Sequence, residues 1–134
     1  MNLFRSASIL MVQYAHYHRD RRNIATHLVG IPLLFLAIGV LLLGPVWRLD
    51  GQEITLAWAM WGLSSLWYLS RGALFLGLAT TGVNAGLIAL AHQVPPWAAA
   101  WELPVWQVGV ALFVVGWVLQ FIGHFFEGRK PAFV

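Results

Sequence analysis

The sequence contains no cysteine, so disulfides, thiolate metal ligands and a cysteine nucleophile are excluded. Charge is also scarce. Lysine, arginine, aspartate and glutamate make up 10% of the 134 residues, against about 25% in a soluble domain. Such a chain cannot clothe a water-facing surface, which excludes a secreted domain, a nucleotide-binding α/β fold and a lone amphipathic anchor. No glycine loop of the phosphate-cradling kind occurs. Ser64 and Ser65 have no placed histidine–acid pair, which argues against a serine hydrolase. There is no internal repeat, no low-complexity segment and, from Met1 to Arg22, no compact apolar stretch of the cleavable-signal kind.

What remains is hydrophobic: 60% of residues, with a mean hydropathy of +0.72. Residues 23–47, 54–70, 72–101 and 103–126 carry no lysine, arginine, aspartate or glutamate. A helix needs about 20 apolar residues to cross a bilayer. The runs therefore predict an all-α polytopic membrane protein, one transmembrane domain over residues 1–134. Its crossings fall at about 23–47, 54–70, 73–92 and 104–127. Residues 2–21 read as an amphipathic surface helix, since Leu3, Ala7, Leu10, Met11, Tyr14 and His18 recur at intervals of three and four. Pro32 is expected to kink or loosen the first crossing, and the second is short for a full span. Arg48 to Glu53 form a polar turn, and Gln93 to Trp97, with Pro95 and Pro96, break the chain again. Gly82 and Gly86 form a small-residue pair of the helix-packing type, within one bundle or in a homo-oligomer, and the Asn84 amide is expected to bond a neighbouring helix. Trp47, Trp58, Trp97, Trp101 and Trp106 fall near predicted ends, as an interfacial aromatic belt does.

A pI near 10.0 raises the question of nucleic acid, but the basic residues read better as topology markers. With four crossings, Arg5, Arg19, Arg21, Arg22, Arg71, Arg129 and Lys130 share one side and only Arg48 lies opposite. The positive-inside rule then puts both termini in the cytoplasm. No nucleic-acid partner is expected, and membrane lipids are.

Five histidines stand out in so apolar a chain. His16, His18, His27 and His124 map to the cytoplasmic side, and His92 to the other. Taken alone, His16 and His92 read as interfacial polar residues. His18, His27 and His124 come from separate segments but reach a similar depth, as a metal site between helices requires. Imidazole accepts iron and zinc alike, so the choice between them stays open. Asn23 lies four residues before His27, Gln120 four before His124, and Glu127 three after it, each pair on one helix face. These side chains are placed to hold an imidazole's second nitrogen, or, for Glu127, to complete the ligand set.

Tyr14-Ala-His-Tyr-His18, followed by Asn23, His27, Gly30 and Pro32, resembles the amino-terminal signature of a family of small membrane proteins. Gln120-Phe-Ile-Gly-His124, followed by Glu127 and Lys130-Pro-Ala132, resembles its carboxy-terminal signature. This is the family of the fungal protein for metabolism of phytosphingosine to odd-numbered fatty acids, which has bacterial relatives. The resemblance spans about Tyr14 to Ala132. It implies an iron(II)-dependent dioxygenase that uses molecular oxygen to shorten a 2-hydroxy fatty acid by one carbon, releasing carbon dioxide. Family histidines thought to hold the iron match His18, His27 and His124, and Glu127 joins them as the fourth catalytic candidate. Fungal members often carry a second histidine where this chain has Arg19, so His16 or Glu127 is the substitute to test.

On this reading Tyr14, Asn23, Arg129 and Lys130 contact the substrate, with Arg21 and Arg22 steering its head group. The acyl chain lies among Leu33, Leu34, Phe35 and the third and fourth crossings. The expected location is a bacterial inner membrane. Two other readings compete. One is a haem protein with His27 and His124 as axial ligands. The other is a non-catalytic scaffold whose histidines tie the surface helix to the bundle.

Overall fold

The computed structural model describes residues 5–44 and 46–128. Six helices and one hairpin account for most of them: α1 (Ala7–Tyr17), α2 (Arg21–Leu41), β1 (Val46–Leu49), β2 (Gln52–Thr55), α3 (Leu56–Leu69), α4 (Leu74–Ala91), α5 (Val94–Ala100) and α6 (Val105–Glu127). Three helical stretches, Arg21–Leu41, Leu74–Ala100 and Val105–Glu127, are long and apolar enough to cross a membrane. The expected second crossing falls short of that length. With 14 residues, α3 reaches only ~21 Å.

The boundaries differ from the sequence reading in three places. Of residues 2–21, expected to form one surface helix, Ala7–Tyr17 form α1, and residues 2–4 lie outside the described part. The chain leaves helical geometry at His18, and Asp20 caps a new helix by accepting from the Arg22 backbone N–H at 2.8 Å. The first crossing stops at Leu41 rather than Trp47, because residues 46–55 pair as an antiparallel hairpin. Asp50 (φ 49°) and Gly51 (φ 80°) make its two-residue turn, the positive-φ pair that a right-twisted hairpin favours. The expected break after Gln93 is instead a short helix, with its prolines in the first turn, where a missing N–H costs nothing.

Cross-helix contacts give the directions. Gly109 of α6 lies against Leu41 of α2, and Gly123 lies against Asn23 and His27, so the two helices run antiparallel. Gly39 meets Ile88 and Ala91, which makes α4 parallel to α2, while Gly77 lies against Tyr68 and Leu69 at the α3–α4 turn. The α2–α6 seam is the spine of the molecule. Gly109, Gly116 and Gly123, seven residues apart, face Leu41, Leu34 and His27, also seven apart. A Cβ at Gly116 would stand 2.7 Å from Leu34 Cγ, so glycine lets the backbones approach as small residues do between membrane helices. The pair singled out in the sequence, Gly82 and Gly86, does not pack inside the bundle: a Cβ there meets nothing within 4 Å among the described residues.

The two ends of the bundle differ chemically. Trp47, Trp97, Trp101 and Trp106 are exposed at the hairpin end. His92 also lies there, stacked on Trp58 at 5.5 Å, with Nδ1–H donating to Ile88 O at 2.8 Å and Nε2 3.2 Å from Thr55 Oγ1. Arg48 pairs across the hairpin with Glu53 at 3.0 Å. Arg19, Arg21, Arg22 and Arg71 belong to the opposite end, together with the remaining histidines.

Candidate metal centre

The centre forms where three chain segments meet at that basic end. His18 caps α1, His27 lies in the second turn of α2, and His124 in the last turn of α6. One potential ligand atom from each lies within 4.8 Å of the other two. Ring centroids are 4.5 Å apart for His18–His27, 4.9 Å for His27–His124 and 5.6 Å for His18–His124. His27 and His124 are buried, at 5% and 8% exposure, and His18 is half-buried.

Backbone carbonyls orient two of the rings. His18 Nδ1–H donates to Tyr14 O at 2.8 Å and His27 Nδ1–H to Asn23 O at 3.0 Å, each four residues back. Those bonds fix the tautomer and leave Nε2 with its lone pair, the form that binds metal. The sequence suggested side-chain amides for this task. A histidine in a helix instead finds the carbonyl of its own preceding turn. His124 Nδ1 is buried without a hydrogen-bond partner among the described residues. An orphan buried nitrogen carries a desolvation cost of about 1–3 kcal/mol, which a metal ion would offset. The donor set therefore fits a divalent transition metal.

Glu127 is brought close but has another occupation. Its Oε1 and Oε2 accept from the Arg19 N–H at 3.0 Å, and Oε2 also accepts from the Asp20 N–H at 2.9 Å and from Asn23 Nδ2 at 3.0 Å. The carboxylate thus clamps the α1–α2 turn onto the end of α6, at the amino terminus of α2, where negative charge is favoured. Arg22 adds a second tie, its guanidinium 4.2 Å from the Phe126 ring centroid, and forms an ion pair with Asp20 at 2.8 Å. Hydrogen bonding from Arg22 lowers the Asp20 carboxyl from its ordinary 3.8 to about 2.

Of the remaining sequence candidates, Tyr14 stacks on His18, with centroids 3.8 Å apart and planes 14° apart, and partial burial raises its phenol above the ordinary 10.0. Asn23 is fully buried between Glu127 and Gly123. His16 is exposed on α1, 3.2 Å from Arg19 Nη2, and is not part of the histidine cluster. Arg129 and Lys130 lie outside the described residues. The sequence reading missed Gly123. A Cβ there would collide with Thr26 Oγ1 and Asn23 Oδ1 and stand 3.0 Å from His27 Nδ1. The seven-residue glycine spacing was the signal that could have found it.

Two apolar cavities lie nearby. One, of about 380 Å³, opens between α1 and the α3–α4 turn, with Leu10, Met11, Tyr14, Trp67, Tyr68 and Leu76 among its walls. The second, of about 270 Å³, lies between α2 and α4 beside Pro32, Phe35, Tyr68, Asn84 and Leu87. Of the residues expected to flank an acyl chain, Phe35 lines the second cavity, whereas Leu34 packs beneath Gly116.

A family profile described as 2-hydroxy-palmitic acid dioxygenase Mpo1-like matches residues 4–134. The chain belongs to the Mpo1-like family. No curated protein sequence and no solved structure matches it. The match covers nearly the whole chain and agrees with the resemblance carried by the two histidine motifs. The family's name implies a dioxygenase acting on a fatty acid and molecular oxygen, and the three apolar helical stretches imply a membrane setting.

Proposed function

We propose that the protein is an iron(II)-dependent dioxygenase that shortens a long-chain 2-hydroxy fatty acid by one carbon. The carrying observation is the convergence of His18, His27 and His124 from three segments in a chain of this family. In the overall reaction the 2-hydroxy acid and one dioxygen give the one-carbon-shorter acid, carbon dioxide and water. The C1–C2 bond breaks, C2 rises from alcohol to carboxyl, C1 leaves as carbon dioxide, and dioxygen takes up the four electrons.

Bound to the three imidazoles, iron(II) supplies the redox chemistry and a template for the substrate's carboxylate and 2-hydroxyl. The protein's part is positioning. Tyr14 O and Asn23 O orient two imidazoles, Glu127 holds the turn that carries His18, and the α2–α6 seam excludes water. Asn23 acts through Glu127 and His27 rather than on substrate. Tyr14 covers the open side of His18, and Arg21, Arg22, Arg129 and Lys130 attract the carboxylate. The rival haem arrangement is disfavoured by the rings themselves: His27 and His124 meet edge to face at 85°, with no slot for a macrocycle between them.

We further propose an integral protein of a bacterial inner membrane, with α3 as a short fourth crossing, α1 at the interface and both termini cytoplasmic. Support comes from the concentration of arginine at the histidine end and the single Arg48 at the other.

The test is oxygen uptake by the purified, iron(II)-loaded protein with and without a long-chain 2-hydroxy acid, with carbon dioxide and the shortened acid assayed together. Substrate-dependent uptake is expected, and both activity and iron retention should be lost in His27→Ala and His124→Ala. A fully active His124→Ala protein would overturn the assignment.

A further inference from the structure

Resting on that reading, we infer that the substrate's alkyl chain occupies the cavity beneath α1, and that Tyr68 sets the chain length accepted. Tyr14 links the metal centre to this cavity. One face of its ring stacks on His18 at 3.8 Å, while the same residue lines the 380 Å³ cavity. The metal centre and the cavity therefore share a wall, and a ligand whose head lies at the histidines has its tail directed there.

The cavity has the chemistry of an alkyl site. Its walls are aliphatic and aromatic apart from Arg71, whose Nε–H donates to Trp67 O at 3.1 Å and whose guanidinium lies 4.8 Å from the Trp67 ring centroid. Its volume falls in the range of small-molecule pockets, about 300–1,000 Å³. The roof is tied down at both ends: Ala7 N–H donates to Arg71 O at 2.9 Å, and Glu127 holds Arg19 and Asp20. Pocket walls fixed in this way can measure a chain.

Tyr68 belongs to the walls of both cavities. A chain that fills the first space meets this side chain before it reaches the second. Shortening Tyr68 opens the 270 Å³ space beyond it, whereas enlarging Ala73, on the wall of the first, removes room from that space.

The experiment compares kcat/KM for 2-hydroxy acids from ten to twenty carbons in the wild type, Tyr68→Ala and Ala73→Phe, all iron-loaded. Tyr68→Ala is expected to move the optimum to longer chains and Ala73→Phe to shorter ones. Each buried methylene gained or lost changes the ratio about fourfold. An unchanged chain-length profile in an active Tyr68→Ala enzyme overturns the inference and leaves the dioxygenase reading intact. A wild-type enzyme inactive on every acid defeats the dioxygenase reading instead. A second readout does not need turnover: a 2-hydroxy acid with a terminal photoreactive group should label residues 67–77. Labelling there that competing 2-hydroxy acid suppresses supports the inference. Labelling that only phospholipid suppresses assigns the cavity to a bilayer lipid, and labelling confined to outer helix faces removes the cavity from substrate binding; either result overturns it.

Discussion

Glu127 illustrates how one residue's job is decided by its donors. Its two oxygens meet two backbone N–H groups and the Asn23 amide, so it organises the turn that delivers His18 instead of serving as a free ligand. Glu127→Ala leaves those donors unpaired and lets His18 drift. Metal affinity should fall about tenfold to a hundredfold, the usual effect of removing an outer partner of a ligand. Glu127→Gln, which keeps an acceptor, should recover part of it. Titration with iron(II) or zinc against a chelator of known affinity checks both, and unchanged affinity in Glu127→Ala would refute the clamp. The placing of Glu127 on the His124 face of its helix was legible from the three-residue spacing. Its bonds to Arg19 and Asp20 were not, because backbone donors leave no mark in a sequence.

At the scale of elements, α2 and α6 carry the centre and the other helices support them. The apolar runs placed the central helices, since the need to bury or immerse uncharged backbone dominates their local preferences. The hairpin at residues 46–55 was hidden because its first strand begins inside an uncharged run that ends at Trp47, although Asp50-Gly51 is a hairpin turn pair. The helix seam was misplaced for a related reason: glycine spacing marks a close approach without saying which helix approaches. The two sites make opposed predictions. Gly123→Ala forces α6 away from Asn23 and His27 and should cost about 1–3 kcal/mol, as overpacking does, with loss of metal. Gly82→Ala points into open space and should be neutral or stabilise by up to about 1 kcal/mol through helix propensity. Thermal unfolding in detergent, read with the metal content, distinguishes them. Equal behaviour of the two variants would show that the seam does not lie where the structure puts it.

Seen whole, the molecule divides into a bundle and a cover. His27 and His124 belong to the bundle, but His18 arrives on α1, of which only Ala7 is buried. That helix is secured at its two ends and exposes Ile9, Met11, Val12 and Tyr17 between them. Elements with few buried contacts open at lower free energy than the body they cover. Amide exchange in the metal-free protein should therefore be faster in residues 7–19 than in α2 and α6, and metal should slow it there most. Uniform exchange across all three would disprove the division. The consequence is that the centre can lose one of its three imidazoles while the bundle stays folded. On warming, metal release should precede the loss of helix signal as a separate transition, so the lifetime of the bound ion would report how often the cover lifts.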